Sequence, residues 1–345
     1  MRASVIVRSK DEADRLRLTL TSLACQSEQP EVVVVDDGST DHTRQVLVEM
    51  QGELDLIVVH HDRPMGRSAA ANAGAARAVG DIVIFLDGDT LAAPDMVARH
   101  MEQHRRDGRL IVRGETWHLR CTRLFLDPEA ATPQRGEEGK LARMPAVERA
   151  RSVVTRQQIR ESFEMIDLRA QPGIYPGFGP RTLYELEMEA LRTDPDCGVL
   201  WAAASGSNQS LARSAFVSSG GFRPDLTINE HRELALRLCE QGLRMVGCTG
   251  RTYHMIHRSG WRDPLQERDW ELIFYRAHPL PEVGLLSLLW ESLSDSVAAP
   301  SPSKILSLRD LERAARRCAG VVGHVALREA YLRDVGLVAG VVEAL

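Results

Sequence analysis

The sequence predicts an α/β protein built on a mostly parallel sheet with helices on both faces. Three observations carry that expectation. Short apolar runs alternate with amphipathic segments through the first hundred residues. Residues 32–35 and 82–86 are apolar at every position, as strands buried on both faces require. Two acidic turns, Asp36-Asp37-Gly38 and Asp87-Gly88-Asp89, follow directly on those runs, at the strand ends where open sheets of this class bind ligands.

The elements follow in order. Residues 4–7 read as a first strand, and Leu16, Leu20 and Leu23 form one apolar stripe of the next helix, which Ser9 or Asp11 can cap. The valine run 31–35 is a second strand, after which Asp41 opens a second helix. Residues 56–59 are a third strand, 67–78 an alanine-rich helix and 82–86 a fourth strand, with Pro94 placed to begin another helix. From 114 to 198 the chain turns charged and arginine-rich with mostly helical patterning, broken by a Pro/Gly-rich stretch at 171–180. A strand and helix return at 199–217, then a helix near 230–241, a strand at 243–248 and leucine- and alanine-rich helices after Pro281.

Composition narrows the function. The 345 residues carry 43 basic and 48 acidic side chains, a net charge of −5, which argues against a nucleic-acid partner because phosphate binding rests on a Lys/Arg surplus. The six cysteines are scattered without a C-x-x-C pair, as expected of reduced thiols in the cytoplasm. The N-terminus lacks the apolar core of a signal peptide, and the apolar stretch 283–290 falls far below a membrane-spanning length, so a cytoplasmic chain with no transmembrane segment is expected.

Two residue clusters carry chemistry. Asp87 and Asp89, two apart after a buried strand, suit a hard divalent cation, Mg²⁺ or Mn²⁺, bridging a diphosphate. Alone, such a pair reads rather as a turn capped by aspartates. In the second cluster, Asp36 and Asp37 can accept hydrogens from a nucleobase imide or a ribose hydroxyl, while Asp41 serves the helix that follows.

Four ordered motifs now come together: Ser4-Val-Ile-Val, Val33-Val-Val-Asp-Asp-Gly-Ser-Thr-Asp41, Gly66-Arg-Ser-Ala-Ala-Ala-Asn-Ala-Gly74 and Gly80-Asp-Ile-Val-Ile-Phe-Leu-Asp-Gly-Asp89. With a later block (Gly206 to Arg213, Gly220-Gly-Phe222, Glu230 to Arg237) the chain resembles family 2 glycosyltransferases over residues 3–115 and 199–260. The resemblance implies a GT-A fold in residues 1–280, with a nucleotide-sugar-binding half at 1–113, a helical insertion at 114–198 and an acceptor half at 199–280, followed by a helical extension at 281–345. It implies a UDP-, GDP- or dTDP-sugar donor, an acceptor left open, and inversion by direct displacement. The donor would meet Val7, Arg8, Glu12, Asp36, Asp37, Arg67, Asn72, Asp87, Gly88 and Asp89. A cation would sit on Asp87, Asp89 and His254, with His257 the competitor for the histidine place. His60 and His61 are expected to be structural.

The chain departs from the family pattern in places. Glu230-His231 stands where a Glu-Asp pair normally begins a helix, so the base is Glu230 or His231, with the carboxylate favoured. Arg8-Ser-Lys-Asp-Glu12 replaces the usual Pro-Thr-Tyr-Asn-Glu, so Arg8 takes over stacking on the base. Ala71 stands where a basic residue is usual, which leaves Arg67 for the diphosphate. Asn208 and a loop with Arg258, Trp261 and Arg262 would serve the acceptor. The segment from about 115 to 198 and the helices after Pro281 would shape acceptor binding or provide homodimer contacts. Two rival readings are a sugar-phosphate nucleotidyltransferase and a non-catalytic nucleotide-binding subunit of the same fold.

Overall fold

In the computed structural model, residues 1–172, 183–257, 266–293 and 305–336 are described. The strands are β1 (Ala3–Ser9), β2 (Glu31–Asp36), β3 (Leu56–His60), β4 (Ile82–Asp87), β5 (Thr90–Ala92), β6 (Leu110–Leu119), β7 (Phe125–Asp127), β8 (Thr132–Pro133), β9 (Gln171–Pro172), β10 (Gln209–Ala212) and β11 (Arg244–Met255). Helices α1 (Ala13–Ala24), α2 (Thr43–Met50), α3 (Arg67–Arg77) and α4 (Met96–Arg106) connect the first strands. Short helices α5 (Glu138–Arg143), α6 (Ala146–Ser152), α7 (Arg156–Glu161) and α8 (Glu164–Asp167) follow β8, then α9 (Leu183–Thr193), α10 (Arg213–Ser218) and α11 (Glu230–Glu240). The chain closes with α12 (Asp269–Ala277), α13 (Pro281–Gly284), α14 (Leu286–Leu293), α15 (Leu308–Arg317) and α16 (His324–Asp334).

The main sheet runs β3-β2-β1-β4-β10-β6-β11-β5, with β9 on β6. Strands β3, β2, β1 and β4 are parallel, β10 is antiparallel to both neighbours, and β11 returns parallel to β6. Register decides what meets at the carboxyl edge. Ser9 pairs with Asp36 and Arg8 with Asp87, so the two acidic turns end side by side. β5 reverses at once after β4 and pairs with β11, setting Thr90 opposite His254. β5 was not expected between Asp89 and the helix begun at Pro94, because three extended residues after a turn offer too short a pattern to read.

Apolar residues on opposite faces of the strands feed two cores. One contains Val5, Val7, Ile84 and Leu86 under α1, α2 and α4, and also takes Ile159 and Ile166 from α7 and α8. The other contains Ile6, Val33, Phe85 and Ile111 under α3, α9 and α11. Leu286, Leu289, Trp290, Leu308, Leu311, Leu327 and Tyr331 join this second core, with Trp290 stacked edge-on against Trp270. At roughly 1.5–3 kcal/mol per large apolar side chain, that burial binds α14, α15 and α16 to the body of the fold. Val322 and Val325, at 86% and 64% exposure, stay on the surface of this region.

Three boundaries differ from expectation. β6 crosses residue 113, so the expected insertion begins inside a core strand. β11 runs to Met255 through a bulge between Gly247 and Arg251, which hid its second half from a periodicity reading. Neither Ser9 nor Asp11 caps α1. Its first N–H, at Ala13, is taken by the Asp41 carboxylate at 3.0 Å, while Asp11, at φ 52°, accepts from the Thr40 N–H at 2.7 Å. No helix among the described residues is long and apolar enough to cross a membrane.

Candidate active site

The first acidic turn is occupied in part by its own neighbours. Asp36 accepts from the Ser39 N–H at 3.0 Å and lies 3.1 Å from His60 Nδ1, which leaves carboxylate capacity for another donor. Asp37 is more committed: it meets His61 Nδ1 at 2.6 Å and accepts from the Met65 and Gly66 N–H groups at 2.8 and 2.9 Å. His60 and His61 thus lock the loop before α3 onto the turn. Arg67, exposed at the first position of α3, is near enough to help hold Glu230 ionised.

Gly88 is required by packing. A Cβ there would collide with Glu12 Oε1 and lie 2.8 Å from Ser9 Oγ, because the loop after β1 crosses directly over the turn. That crossing presses Glu12 against the two aspartates. Burial, followed by the charge of Asp89, pushes the Glu12 carboxyl well above its ordinary value, against a hydrogen bond from Ser9.

Asp87 and Asp89 part company. The Asp87 carboxylate pairs with the Arg8 guanidinium. Asp89, buried, faces His257 Nε2 at 2.8 Å and His254 Nε2 at 3.2 Å, and accepts from Thr90 Oγ1 at 2.9 Å. One donor atom from each of Asp89, His254 and His257 lies within 4.8 Å of the others. Burial works to raise Asp89, but the His254 charge and the two histidine hydrogen bonds outweigh it and hold the carboxyl well below its ordinary value. His118, directly opposite His254 across β6 and β11, places its Nδ1 3.2 Å from His254 Nδ1. Burial, with His254 beside it, drives the His118 pKa down to about 3. One carboxylate and two imidazoles make a coherent set for a divalent cation, and the second imidazole tilts it from Mg²⁺ toward Mn²⁺ or a later transition metal.

Arg8, expected to stack on a base, is committed to its neighbours. Its side chain is 6% exposed, donates to the Gly206 carbonyl at 2.8 Å, pairs with Asp87 and places Nη1 3.8 Å from Glu230 Oε1. Glu230 opens α11 after Asn229, a left-handed residue at φ 66°. Burial tends to raise its carboxyl, but His231, Arg8 and Arg67 overcome that and hold the pKa at about 2. His231 is lowered by burial and by Arg232. Its Nδ1 lies 3.7 Å from Glu230 Oε2 and its Nε2 2.7 Å from Arg232 Nη1.

Three expected contacts are spent elsewhere. Asn72 donates to the Phe222 carbonyl at 2.8 Å and accepts from the Phe222 N–H at 2.9 Å, so its amide ties α3 to the Gly220–Phe222 turn. Asn208 is fully buried at φ 57°, with its amide on the Glu115 and Gly250 carbonyls and its oxygen 2.8 Å from His100 Nε2. Val7 points into the core, leaving only its backbone for a ligand. Arg258, Trp261 and Arg262 lie outside the described residues.

Residues 4–125 match the family model for glycosyl transferase family 2. The matched segment is about a third of the chain. It contains both acidic turns, whereas Glu230, His254 and His257 lie beyond it. The uncharacterized glycosyltransferase YfnE of Bacillus subtilis (strain 168) is 39% identical over 119 residues, 34% of this chain and 30% of that protein. The match covers about a third or less of the length of the curated relatives. Among solved structures, Staphylococcus aureus TarS 1-349 in complex with UDP-GlcNAc superposes with a TM-score of 0.55 at 16% identity, covering 98% of this chain and 84% of that one. GalNAc-T7 with UDP, GalNAc and Mn²⁺ also reaches 0.55 at 16% identity, covering 97% and 57%. The glycosyltransferase GT-A fold therefore extends past the family 2 segment to the rest of the chain.

Proposed function

We propose that the protein transfers a sugar from a UDP-sugar, with a divalent cation, to an acceptor hydroxyl. The observation that carries this reading is the convergence of Asp89, His254 and His257 at the carboxyl edge of the sheet, alongside Asp87 and Arg8, with Glu230 on the far side of Arg8. Mn²⁺ on Asp89, His254 and His257 would supply positive charge to a departing diphosphate. Asp36, with acceptor capacity remaining, takes the nucleoside. Arg67 and the free N–H groups of the first turn of α3 present positive charge to the phosphates.

Glu230 takes the acceptor proton. It stays ionised throughout the neutral range. Attack from the Glu230 side, opposite the leaving diphosphate, inverts the anomeric carbon. Arg8, between Glu230 and Asp87, keeps two carboxylates from repelling one another as donor and acceptor enter.

UDP-GlcNAc hydrolysis and transfer, followed by UDP release with Mn²⁺, test the reading. Glu230→Gln should lower kcat by about a hundredfold or more with donor KM within about twofold, since general-base terms are worth roughly 10²–10⁴. No UDP release from any of several UDP-sugars, with no Mn²⁺-dependent rise in Tm on adding UDP, would reject it.

A further inference from the structure

We propose that Glu187 on α9 and Arg232 on α11 are positioning residues that hold His231 as its Nδ1–H tautomer, turned toward Glu230. The inference rests on the reading of Glu230 as the base. It gives a task to a helix of the arginine-rich segment that the sequence left without one.

Arg232 is buried and donates to four acceptors: Nε to the Ala202 carbonyl at 2.8 Å, Nη2 to Glu187 Oε1 at 2.5 Å, and Nη1 to Asn229 Oδ1 and His231 Nε2, each at 2.7 Å. An arginine N–H only donates, so His231 Nε2 must be the acceptor and carry no hydrogen. A neutral imidazole has one N–H, which therefore sits on Nδ1, and Glu230 Oε2 is 3.7 Å from that nitrogen. Protonating Nε2 would set two donors against each other beside a buried positive charge.

Glu187 fixes the guanidinium that enforces this. Its second oxygen accepts from Arg113 Nη1 at 2.5 Å, so one carboxylate anchors arginines from β6 and α11, and the Arg232 guanidinium also lies 4.8 Å from the centre of the Trp290 ring. The charged groups around His231 are Glu230 and Arg232 on its own helix, Glu187 on α9, Arg113 behind Glu187, and Arg8 from β1, which donates to the carbonyl of Gly206, a residue beside the ring. His231 therefore offers no free lone pair to an acceptor hydroxyl. Its Nδ1 has no hydrogen-bond partner and faces the Glu230 carboxylate from 3.7 Å, so the hydrogen it holds there is directed at that carboxylate, and the chain uses the Glu-His pair without changing the identity of the base.

Long-range ¹H–¹⁵N correlation spectra of the ¹⁵N-histidine-labelled full chain, with His231→Gln to assign the signal, read the tautomer without turnover. The expected result is hydrogen on Nδ1 alone across neutral pH. Arg232→Met should admit the Nε2–H form and lower kcat for UDP-GlcNAc hydrolysis at least about tenfold with donor KM within about twofold. Glu187→Gln, which keeps the shape of the anchor, should move both readouts the same way by less. Hydrogen on Nε2 in the parent protein, or an unchanged tautomer in a folded Arg232→Met, overturns the proposal. If Arg232→Met does not fold, an unchanged tautomer and unchanged kcat in Glu187→Gln do so. Nδ1–H in a protein whose Glu230→Gln variant retains full activity would instead remove Glu230 as base and leave the tautomer lock standing.

Discussion

Replacing Asn72 by alanine separates a residue that grips the donor from one that holds the fold together. The Asn72 amide closes two hydrogen bonds with Phe222, at 2.8 and 2.9 Å, and Gly221 at φ 71° leaves no room for a side chain: a Cβ there would lie 2.5 Å from Asn72 Oδ1. Truncation leaves one N–H and one carbonyl of Phe222 unpaired in a half-buried turn, at about 1–1.5 kcal/mol each, or roughly 2–3 kcal/mol in all. Phe222 packs between Phe85 and Phe216, so the loosened turn pulls on the core. With about 2.1 cal/mol/K of unfolding entropy per residue, the 345 residues give about 0.7 kcal/mol/K, and Tm should fall by about 3–4 °C. Thermal melting and urea unfolding measure the loss; titration with UDP and Mn²⁺ measures the donor site. Stability should drop while the UDP Kd stays within about twofold. A tenfold weaker Kd with unchanged Tm would refute this reasoning and return Asn72 to the donor.

Other outcomes follow from the same geometry. Asp89→Asn should abolish high-affinity Mn²⁺ binding in calorimetry and His257→Gln should weaken it at least about tenfold, whereas Asp87→Asn, freed from Arg8, should change it far less; equal losses at Asp87 and His257 would contradict the ligand set. Gly88→Ala should be destabilised and slow together, as Glu12 is forced off the turn; a fully active variant with parent Tm would show that the crossing yields. Glu271, whose carboxyl burial would raise but His324, Arg268 and Ser287 hold at about 2, carries a folded pKa below its ordinary 4.5. Its contribution of about 2–3 kcal/mol is therefore complete above pH 4.5 and lost as pH falls toward 2. Glu271→Gln should flatten the stability profile in that window, and an unchanged acid slope would reject it.

Local pattern was enough for the parallel half of this protein. Apolar runs such as 32–35 and 82–86 announce strands buried on both faces, and the acidic turns follow in the next residues, so the placing of Asp36, Asp37, Asp87 and Asp89 at one sheet edge could be read in the chain. Which atoms those carboxylates meet could not, since every deciding partner is distant in sequence. His257 reaches Asp89 only because β5 turns back onto β11, and His118 meets His254 only through the register of β6 and β11. Asn72 and Asn208 sit in the expected motifs, yet backbone groups from remote turns and strands claim their amides before any ligand can. Arg8 illustrates the same limit: sequence establishes a cation at the end of β1, but Asp87, Gly206 and Glu230 enclose it. The layering and the carboxylates at the sheet edge are written locally, as apolar runs that end directly in acidic turns. The partners of those carboxylates follow from the fold, because a polar side chain has few hydrogen-bonding positions and residues from across the chain arrive to fill them.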